Sequence, residues 1–284
     1  MSQRSAEVVI VGAGPAGATA AYVLARAGVD VLLLDKATFP RDKSCGDGLG
    51  YHAVRMLEKM GLGDWVRQDD HNDNQQFLLS SPDGTSAVAP TPPDVQGYSY
   101  IVPRIDLDAK LVETAVSAGA TLHQETDVVA LGRLAPDRVR VVCERDDVEV
   151  SYEAPLVITA DGGNVAFTRR LGLAPRLPEW VAVRTYYEGD TGDPRQLEIH
   201  WTPSVLPGYC WIFPSGGGRV NVGVGAYARD VKEQRLNLAA MLESVVVENP
   251  HARARLLRAQ RAAPILGHPL RADAPDVTPY ADNV

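Results

Sequence analysis

The chain has 284 residues, of which 45% are hydrophobic and 23% charged, as in a globular protein and unlike a disordered, collagenous or fibrous chain. Its formal net charge of −8 argues against a dedicated nucleic-acid-binding protein, because such a protein needs a basic surface to displace the counterions of the phosphates. Three widely separated cysteines without a CxxC pair argue against a disulfide scaffold and favour a reducing cytoplasm. Neither they nor the six histidines show metal-ligand spacing, so no metal is expected.

The first uncharged run, from Val8 to Ala25, would suggest a signal peptide or a membrane span on a hydropathy scale. Three glycines and a proline interrupt the run, and Glu7 stands where a signal peptide has a basic lead-in. The pattern therefore predicts a strand at residues 8–11, a tight turn, and a helix that Gly28 closes.

The turn carries the motif Gly12-x-Gly14-x-x-Gly17, and a second strand at residues 31–34 ends in Asp35. The first glycine permits the sharp turn, the second lets backbone approach a pyrophosphate, and the third lets helix and strand pack closely. The helix N-terminus offers N–H groups and a partial positive charge to a diphosphate. Asp35 can accept hydrogen bonds from an adenosine ribose and disfavours a 2′-phosphate. The motif predicts a dinucleotide site for NAD or FAD, and a glycine-rich turn without a ligand is the alternative.

Further elements follow in chain order. A helix is predicted at 49–60 with Ala53, Leu57 and Met60 on one face, and another is capped by Asp106 and extends to residue 117. Strand-like runs are predicted at 126–131, 138–143, 148–152, 156–158, 181–187, 197–201, 209–213 and 219–224. This order indicates a parallel nucleotide-binding layer followed by a mostly antiparallel sheet.

The last predicted helix is amphipathic and ends before Asn249-Pro250. Its apolar positions are Leu238, Met241, Leu242 and Val245. The basic run that follows is interpreted as a solvated helix face, with contact to anionic lipid as the alternative. It consists of Arg253, Arg255, Arg258 and Arg261.

Four segments carry a family resemblance. They are residues 8–17 with Asp35 and Lys36; Phe-Pro-Arg-Asp-Lys-Ser-Cys-Gly-Asp-Gly-Leu at 39–49; Ala160-Asp161-Gly162 with Arg169-Arg170; and Pro-Gly-Tyr-Cys-Trp-Ile-Phe-Pro at 207–214 continuing into 221–225. Together they resemble the geranylgeranyl reductase family, within the FAD oxidoreductases built like p-hydroxybenzoate hydroxylase.

The resemblance implies an α/β fold (α+β overall), in which a Rossmann-type FAD-binding domain holds an inserted, mostly antiparallel β-sheet substrate domain. We expect the FAD-binding domain at 1–75, 98–172 and 269–284 and the substrate-binding domain at 76–97 and 173–268.

The resemblance also implies roles for individual residues. The cofactor-binding set is Gly12, Gly14, Ala16 and Gly17 for the diphosphate, Asp35 and Lys36 for the adenosine, Cys45, Gly46, Gly48 and Arg104 on the flavin side, Val128 for the adenine, and Asp161 for the pyrophosphate region and transient nicotinamide binding; Arg41 and Gly162 belong to the set without a more specific role. The set that would line a prenyl pocket is Tyr209, Trp211 and Phe213, whose alternation places them on one face of a strand; an ordinary sheet core is the alternative.

The implied activity is hydride transfer from reduced FAD to a carbon–carbon double bond of a prenyl or similar lipid, with NAD(P)H or another reductant as electron donor. Cys45 is the candidate catalytic proton donor, and packing against the flavin is its plainer role. The alternative function is an FAD-dependent monooxygenase or halogenase of a natural-product pathway, although a WxWxIP halogenase signature is absent from the sequence.

A third hypothesis is an inactive fragment that holds little FAD. The family's Gly-Asp-Ala-Ala segment does not occur after residue 225, and residues 280–284 resemble the approach to it, so we expect a truncated chain. The expected partner is a small hydrophobic molecule and not a nucleic acid. We expect a cytoplasmic protein with peripheral membrane contact, and the oligomeric state stays open.

Overall fold

The structure is a computed structural model that describes residues 4–68, 71–92, 97–163, 168–169, 178–271 and 283–284. The chain forms two compact units. Unit 1 comprises Met1–Lys43, Ile105–Leu177 and Asp273–Val284, and unit 2 comprises Ser44–Arg104 and Pro178–Ala272. Two segments of the sequence motifs, Arg170 and residues 280–282, lie outside the described residues.

The units divide the chain at other places than the predicted FAD-binding and substrate-binding domains, whose assignment stays a prediction. The sequence places residues 44–75, 98–104 and 269–272 in the first domain, whereas the structure places them in unit 2. The reason is strand pairing: the loop after Lys43 enters a small sheet with residues 72–73 and 100–101, and residues 266–270 pair with the large sheet of unit 2.

Unit 1 is built on a parallel sheet in the order β13-β2-β3-β9. Its strands are β2 (Val8–Val11), β3 (Val31–Leu34), β9 (Thr121–His123) and β13 (Leu156–Thr159). Every residue of β2 and β3 is buried, as expected for parallel strands that are covered on both faces. The predicted strand–turn–helix–strand unit of a Rossmann-type domain is thereby confirmed.

A second sheet of unit 1 has the order β1-β12-β11-β10. Its strands are β1 (Arg4–Ser5), β10 (Asp127–Ala135), β11 (Arg138–Arg145) and β12 (Val148–Ala154). It packs against the parallel sheet in one apolar core that includes Val9 and Leu34 from the parallel sheet and Val141 and Cys143 from β11. The strands thus extend a few residues beyond their predicted ends.

Two helices belong to this part of the chain, α1 (Pro15–Arg26) and α4 (Arg104–Ser117). Helix α1 buries only small residues, Gly17, Ala18 and Ala21, so it can approach β2 and β3 closely. Helix α4 begins two residues before the predicted cap, which places Asp106 in its first turn instead of at its N-cap.

Unit 2 contains a large sheet in the order β18-β14-β17-β16-β15-β6-β7, with β19 also pairing with β14. Its strands are β6 (Gln76–Ser80), β7 (Ser86–Pro90), β14 (Trp180–Glu188), β15 (Gln196–His200), β16 (Tyr209–Gly216), β17 (Arg219–Tyr227), β18 (Gln260–Arg261) and β19 (Leu266–Leu270). Four of them match the predicted runs between residues 181 and 224. A small sheet has the order β4-β8-β5, with β4 (Gly48–Leu49), β5 (Asn72–Asp73) and β8 (Tyr100–Ile101).

The described helices of unit 2 are α2 (Tyr51–Lys59), α3 (Gly63–Val66), α5 (Ala228–Glu233), α6 (Leu238–Glu248) and α7 (Pro250–Leu256). Helix α2 starts later than predicted because Leu49 belongs to β4, and its apolar face contains Val54 while Ala53 is exposed. Asn249 ends α6 as predicted, but its side chain also caps α7, which the sequence analysis did not predict. Among the described helices, none has the length and apolarity that crossing a membrane requires.

The two faces of the large sheet differ because successive side chains of a strand point to opposite sides. On one face, here called the helix face, Cys210, Ile212 and Val222 pack against α6 and α7. The opposite face, here called the aromatic face, carries the other residues of β16, beginning with Tyr209 and Trp211.

One predicted surface residue is in fact buried. Arg255 is 4% exposed on α7, where its guanidinium donates to Asp190 and Glu198. The interpretation of the basic run as a solvated face is therefore wrong for Arg255. Its guanidinium is buried because it pairs with two carboxylates, Glu198 on β15 and Asp190 in the loop before β15. Arg253, Arg258 and Arg261 are exposed.

Candidate functional site

The glycine turn of unit 1 is a tight backbone cradle between β2 and α1. Gly12 has a φ of +98°, and a Cβ atom there would lie 2.4 Å from the carbonyl oxygen of Ala160. A Cβ atom on Gly17 would lie 1.8 Å from the carbonyl oxygen of Gly12. Both positions therefore require glycine, for the turn and for the close approach of helix and strand.

Helix α1 presents its first turn without a side-chain cap. Gly14 is the N-cap residue and has no side chain, and Pro15 occupies the first helical position. Ala16, the next residue, is exposed. The amide groups of this turn are thus available to an anion, which the partial positive charge of the helix end favours.

The carboxylate of Asp35 is fixed at the end of β3. Its Oδ2 accepts a hydrogen bond from the N–H of Ala13 at 2.7 Å, and its Oδ1 accepts one from the N–H of Ala37 at 2.8 Å. Each carboxylate oxygen can accept a second hydrogen bond. The oriented acceptor suits a ribose hydroxyl, and Lys36 beside it is exposed. The chain therefore fits the adenosine diphosphate part of a dinucleotide.

The Asp-Gly motif lies beside this cradle, because Ala160 contacts Gly12 and donates its N–H to Val11. Asp161 accepts hydrogen bonds from the hydroxyl and the backbone N–H of Thr168. Gly162, with a φ of +78°, continues the turn. The structure thus brings the first and third sequence motifs together within unit 1.

Other predicted cofactor residues have structural partners here. Arg41 forms a 2.9 Å ion pair with Asp108, which is fully buried on α4. Val128 packs against the core of unit 1. Arg104 is the first residue of α4. None of these contacts tests a role toward a cofactor, so those roles stay predictions.

In unit 2 the loop of residues 44–48 packs against the aromatic face. A Cβ atom on Gly46 would lie 3.3 Å from both Trp211 Nε1 and Phe213 Cε2, so a larger residue would press on both rings. Cys45, next to it, is a partly exposed free thiol. The other two free cysteines are buried, and burial raises the pKa of Cys143 to about 12 and that of Cys210 above its usual range. Cys45 is therefore the accessible thiol.

The aromatic side chains form a continuous row. The ring centroids of Tyr209 and Phe213 lie 6.1 and 6.2 Å from that of Trp211. Trp180 extends the row, 6.4 Å from Tyr209 and 4.0 Å from Tyr227. The three predicted residues thus share one face, away from the core under α6 and α7. The sequence analysis missed Trp180 and Tyr227. These two residues lie directly opposite each other on β14 and β17, and only the pairing of these strands reveals that they are neighbours.

Asp47, within the motif at residues 39–49, is a polar residue of this site that the sequence pattern does not single out. It is 1% exposed and has a φ of +63°, in the left-handed region that favours glycine. Its Oδ2 accepts hydrogen bonds from the hydroxyl of Tyr186 and from Asn221 Nδ2. Burial raises the pKa of Asp47 to about 6, against the opposing effect of these two donors and of Arg184. A charged residue between two glycines was the only sequence signal.

A second buried cluster lies on the helix face. Ser80 Oγ is 2.7 Å from His200 Nδ1, and His200 Nε2 is 2.8 Å from Glu198. The order resembles a hydrolase triad, but Ser80 and His200 are fully buried, and Asn249 donates to the serine hydroxyl. A substrate cannot reach this serine, so the cluster is structural. Among the described residues, no group of histidine, cysteine and carboxylate side chains is arranged to hold a metal ion.

Comparison with known proteins defines the class first. Residues 5–188, more than half of the chain, match the family profile described as the FAD binding domain. Residues 180–263 match the profile of the geranylgeranyl reductase catalytic domain. The chain therefore belongs to the FAD-dependent oxidoreductases, in the geranylgeranyl reductase family. FAD is the cofactor of this family, and the glycine cradle with Asp35 fits its adenosine diphosphate part.

Curated relatives support the same family. The chain is 39% identical over 250 residues to menaquinone reductase of Mycobacterium tuberculosis, a match that covers 84% of this chain and 59% of the relative. It is 37% identical over 256 residues to digeranylgeranylglycerophospholipid reductase 1 of Methanopyrus kandleri, covering 86% and 63%. The chain thus spans about three fifths of the length of these relatives.

Solved structures show the fold. A geranylgeranyl bacteriochlorophyll reductase-like protein from Thermoplasma acidophilum matches with a TM-score of 0.80 and 23% identity, covering 94% of this chain and 67% of that one. A myxobacterial chondrochloren halogenase matches with a TM-score of 0.82 and 20% identity, covering 94% and 64%. The fold is therefore shared by reductases and halogenases and does not by itself separate the two activities.

Proposed function

We propose that the protein reduces a carbon–carbon double bond of an isoprenoid chain with FAD. The observation that carries the proposal is the aromatic row on the sheet that matches the geranylgeranyl reductase catalytic domain, with the Cys45 loop packed on it. When bound, FAD supplies the hydride that is transferred to one alkene carbon.

The residues of unit 1 bind the cofactor in this proposal. Gly12, Gly14, Ala16 and Gly17 hold the diphosphate through backbone amides, and Asp35 with Lys36 holds the adenosine. The fixed orientation of the Asp35 carboxylate and the steric need for glycine at positions 12 and 17 support these roles. Arg41, Arg104, Val128, Asp161 and Gly162 remain in the proposed cofactor set on the resemblance.

The residues of unit 2 bind and orient the substrate. Tyr209, Trp211 and Phe213 contact the apolar chain, and Cys45, Gly46 and Gly48 contact the flavin. Aromatic rings exclude water from an isoprenoid chain and contact it over a large area at a small entropic cost. The alkene carbon that does not receive the hydride needs a proton, and the accessible thiol of Cys45 is the proposed donor.

The substrate class follows from the relatives. One is named for menaquinone and another for a digeranylgeranylglycerophospholipid, and both of these molecules carry isoprenoid chains. We propose a membrane lipid with such a chain as the substrate, and NAD(P)H or another reductant as the electron donor.

We also propose a cytoplasmic location with peripheral contact to an anionic membrane. Three free thiols suit a reducing compartment. Val247 and Leu257 are 67% and 70% exposed, and the exposed Arg253 and Arg258 lie in the same region of the chain. Sedimentation with phosphatidylglycerol vesicles, but not with phosphatidylcholine vesicles, tests this contact, and Leu257→Asp should weaken it.

Cofactor binding is tested by titrating the chain with FAD and following flavin fluorescence. Asp35→Ala should weaken binding at least about tenfold, because it removes the proposed ribose acceptor. Asp137→Ala, in an exposed turn of the same unit, is the matched control. If the unmodified protein, Asp35→Ala and Asp137→Ala bound FAD with equal affinity, Asp35 would not belong to the FAD site.

The reaction is tested anaerobically with FAD, dithionite as reductant, and a geranylgeranyl lipid or menaquinone. Mass spectrometry of the lipid should show a gain of two hydrogen atoms. A gain of an oxygen atom in air, with NAD(P)H consumed, would establish the monooxygenase alternative. A chain that binds no FAD at any concentration would support the inactive-fragment hypothesis.

A further inference from the structure

The network around Asp47 joins the Cys45 loop to the aromatic row through a single side-chain amide. Asn221 Nδ2 donates to the carbonyl oxygen of Cys45 at 2.8 Å and to Asp47 Oδ2 at 2.7 Å. Its Oδ1 accepts a hydrogen bond from Trp211 Nε1 at 2.9 Å. Asn221 is fully buried, so its amide cannot exchange these partners for water. One orientation of the Asn221 amide therefore links the Asp47 carboxyl, the Cys45 carbonyl and the Trp211 indole.

The carboxylate of Asp47 reinforces the direction in which this amide points, which the indole N–H of Trp211 and the carbonyl of Cys45 also require. An ionised carboxylate only accepts hydrogen bonds, so it requires the NH₂ group of Asn221 to face it. That orientation leaves Asn221 Oδ1 for the indole of Trp211 and the second N–H for the carbonyl of Cys45. With a neutral, protonated Asp47, the bond to Asn221 loses its charge assistance and weakens.

The two carboxylate oxygens of Asp47 are not equivalent. Oδ2 receives both side-chain donors, Tyr186 and Asn221, whereas the buried Oδ1 receives no side-chain donor among the described residues. A proton added to Asp47 would thus reside on Oδ1, where it displaces neither of the two side-chain donors. A group kept only for stability would be expected to satisfy both oxygens.

The other charged and polar groups around Asp47 come from strands β14 and β17 and from the start of α4. Strand β14 contributes Arg184, whose charge lowers the pKa of Asp47, and Tyr186. Strand β17 contributes Arg219 next to Tyr186. The guanidinium of Arg219 lies 4.0 Å from the centroid of the Tyr186 ring, and that of Arg184 lies 4.6 Å from it. The start of α4 contributes the backbone N–H of Arg104. Burial outweighs these groups, so Asp47 titrates near pH 6.

We propose that Asp47 is a positioning residue which, through Asn221, holds the Cys45 backbone and the Trp211 indole in one arrangement and releases that hold when it is protonated. Its importance for the reaction depends on the proposed function, since that function assigns Cys45 to the flavin and Trp211 to the substrate. Asp47 itself does not contact a reacting atom.

The test uses the indole N–H of Trp211 as a reporter. In ¹H–¹⁵N spectra of the chain, recorded from about pH 4.5 to about pH 8, this resonance should shift with an inflection near pH 6. Trp211→Phe identifies the resonance among the four tryptophans. The experiment needs neither flavin nor lipid, so its outcome is independent of the proposed function.

Asp47→Asn should abolish the inflection, because its amide does not titrate and still offers an acceptor oxygen to Tyr186 and Asn221. Asp83→Asn, in an exposed turn of the same unit, should leave the inflection unchanged. A flat titration of the unmodified protein would overturn the proposal, and so would an inflection that persists in Asp47→Asn. The titration of the unmodified protein decides the question even if the variant fails to fold.

If the reductase activity is established, a second readout follows. Asp47→Asn should remove an acidic limb near pH 6 from the pH profile of kcat and leave KM for the lipid within about twofold. A purely structural role would change both parameters at every pH. If the Trp211 resonance titrates near pH 6 but the pH profile of kcat does not change in Asp47→Asn, Asp47 positions Asn221 and its partners without affecting the reaction. The proposed function would then be unaffected.

Discussion

The helix face and the aromatic face of the large sheet in unit 2 both contain a buried acid, but the two acids have opposite surroundings. On the helix face, Glu198 receives hydrogen bonds from His200 and Arg255, and Arg255 also pairs with Asp190 at 2.8 Å. On the aromatic face, the two side-chain donors to Asp47, Tyr186 and Asn221, are neutral and both bind Oδ2. Burial by itself would raise the pKa of Glu198, but His200 and Arg255 lower it to about 2, whereas that of Asp47 rises to about 6.

This difference teaches how to separate structural from functional buried polar groups. A cluster in which the charges are paired holds a helix on a sheet, and its Glu198 stays ionised over the whole physiological range. A buried acid without an ion-pair partner among the described residues, beside an accessible thiol and an aromatic row, can change its protonation state near neutral pH. Such perturbed groups are enriched at functional sites.

The largest expected effect is on the helix face. Glu198→Ala leaves Arg255 buried with one carboxylate fewer, and we expect a loss of about 3–5 kcal/mol in the free energy of unfolding, measured by urea denaturation. Glu243→Ala breaks the exposed pair with Arg261 and should cost less than about 1 kcal/mol. Equal effects of the two variants would show that the helix-face cluster does not stabilise the protein.

The second prediction concerns the pH dependence of the aromatic face. Asp47 binds its proton more tightly in the folded state, with a pKa of about 6 against 3.8, so its contribution to stability is present below pH 3.8 and is lost as the pH rises through 6. Relative to Asp47→Asn, the unmodified protein should lose up to about 3 kcal/mol between pH 4 and pH 7. Thermal unfolding at several pH values measures this, and a pH-independent difference would contradict it.

The third prediction compares thiols of the two faces. Iodoacetamide should modify Cys45 at least about a hundredfold faster than Cys210, because the thiolate is the reactive form and burial raises the pKa of Cys210. Peptide mapping by mass spectrometry gives both rates. Cys45→Ser should leave the protein almost unreactive in its folded state, and rapid modification of Cys210 would contradict the assignment of its face.

The smallest expected effect compares two adjacent tyrosines of β14. Tyr186→Phe removes the hydroxyl that donates to Asp47 and should cost about 1–2 kcal/mol at pH 7, and less at pH 4, where Asp47 is neutral. Tyr187→Phe, on the helix face, should change stability by less than about 0.5 kcal/mol at both pH values. Urea denaturation at the two pH values measures both, and equal costs would contradict the comparison.

Local patterns predicted much of the fold. The glycine motif, the apolar strands 8–11 and 31–34, and the alternation of Tyr209, Trp211 and Phe213 all depend on short-range geometry, and the structure contains each of them. The errors arose where distant segments meet. Arg255 could not be distinguished from its exposed neighbours, because its carboxylate partners precede it by 57 and 65 residues.

Sequence by itself determined the class of protein, because a dinucleotide cradle requires particular residues at fixed spacings within one strand–turn–helix unit. Only the tertiary structure decided that Asp47 is buried, that Asn221 joins it to Cys45 and Trp211, and that the helix face contains a paired counterpart. The physical reason is that the pKa of an acid depends on its solvation and its neighbours, and in this protein strands far apart in the chain bring those neighbours together.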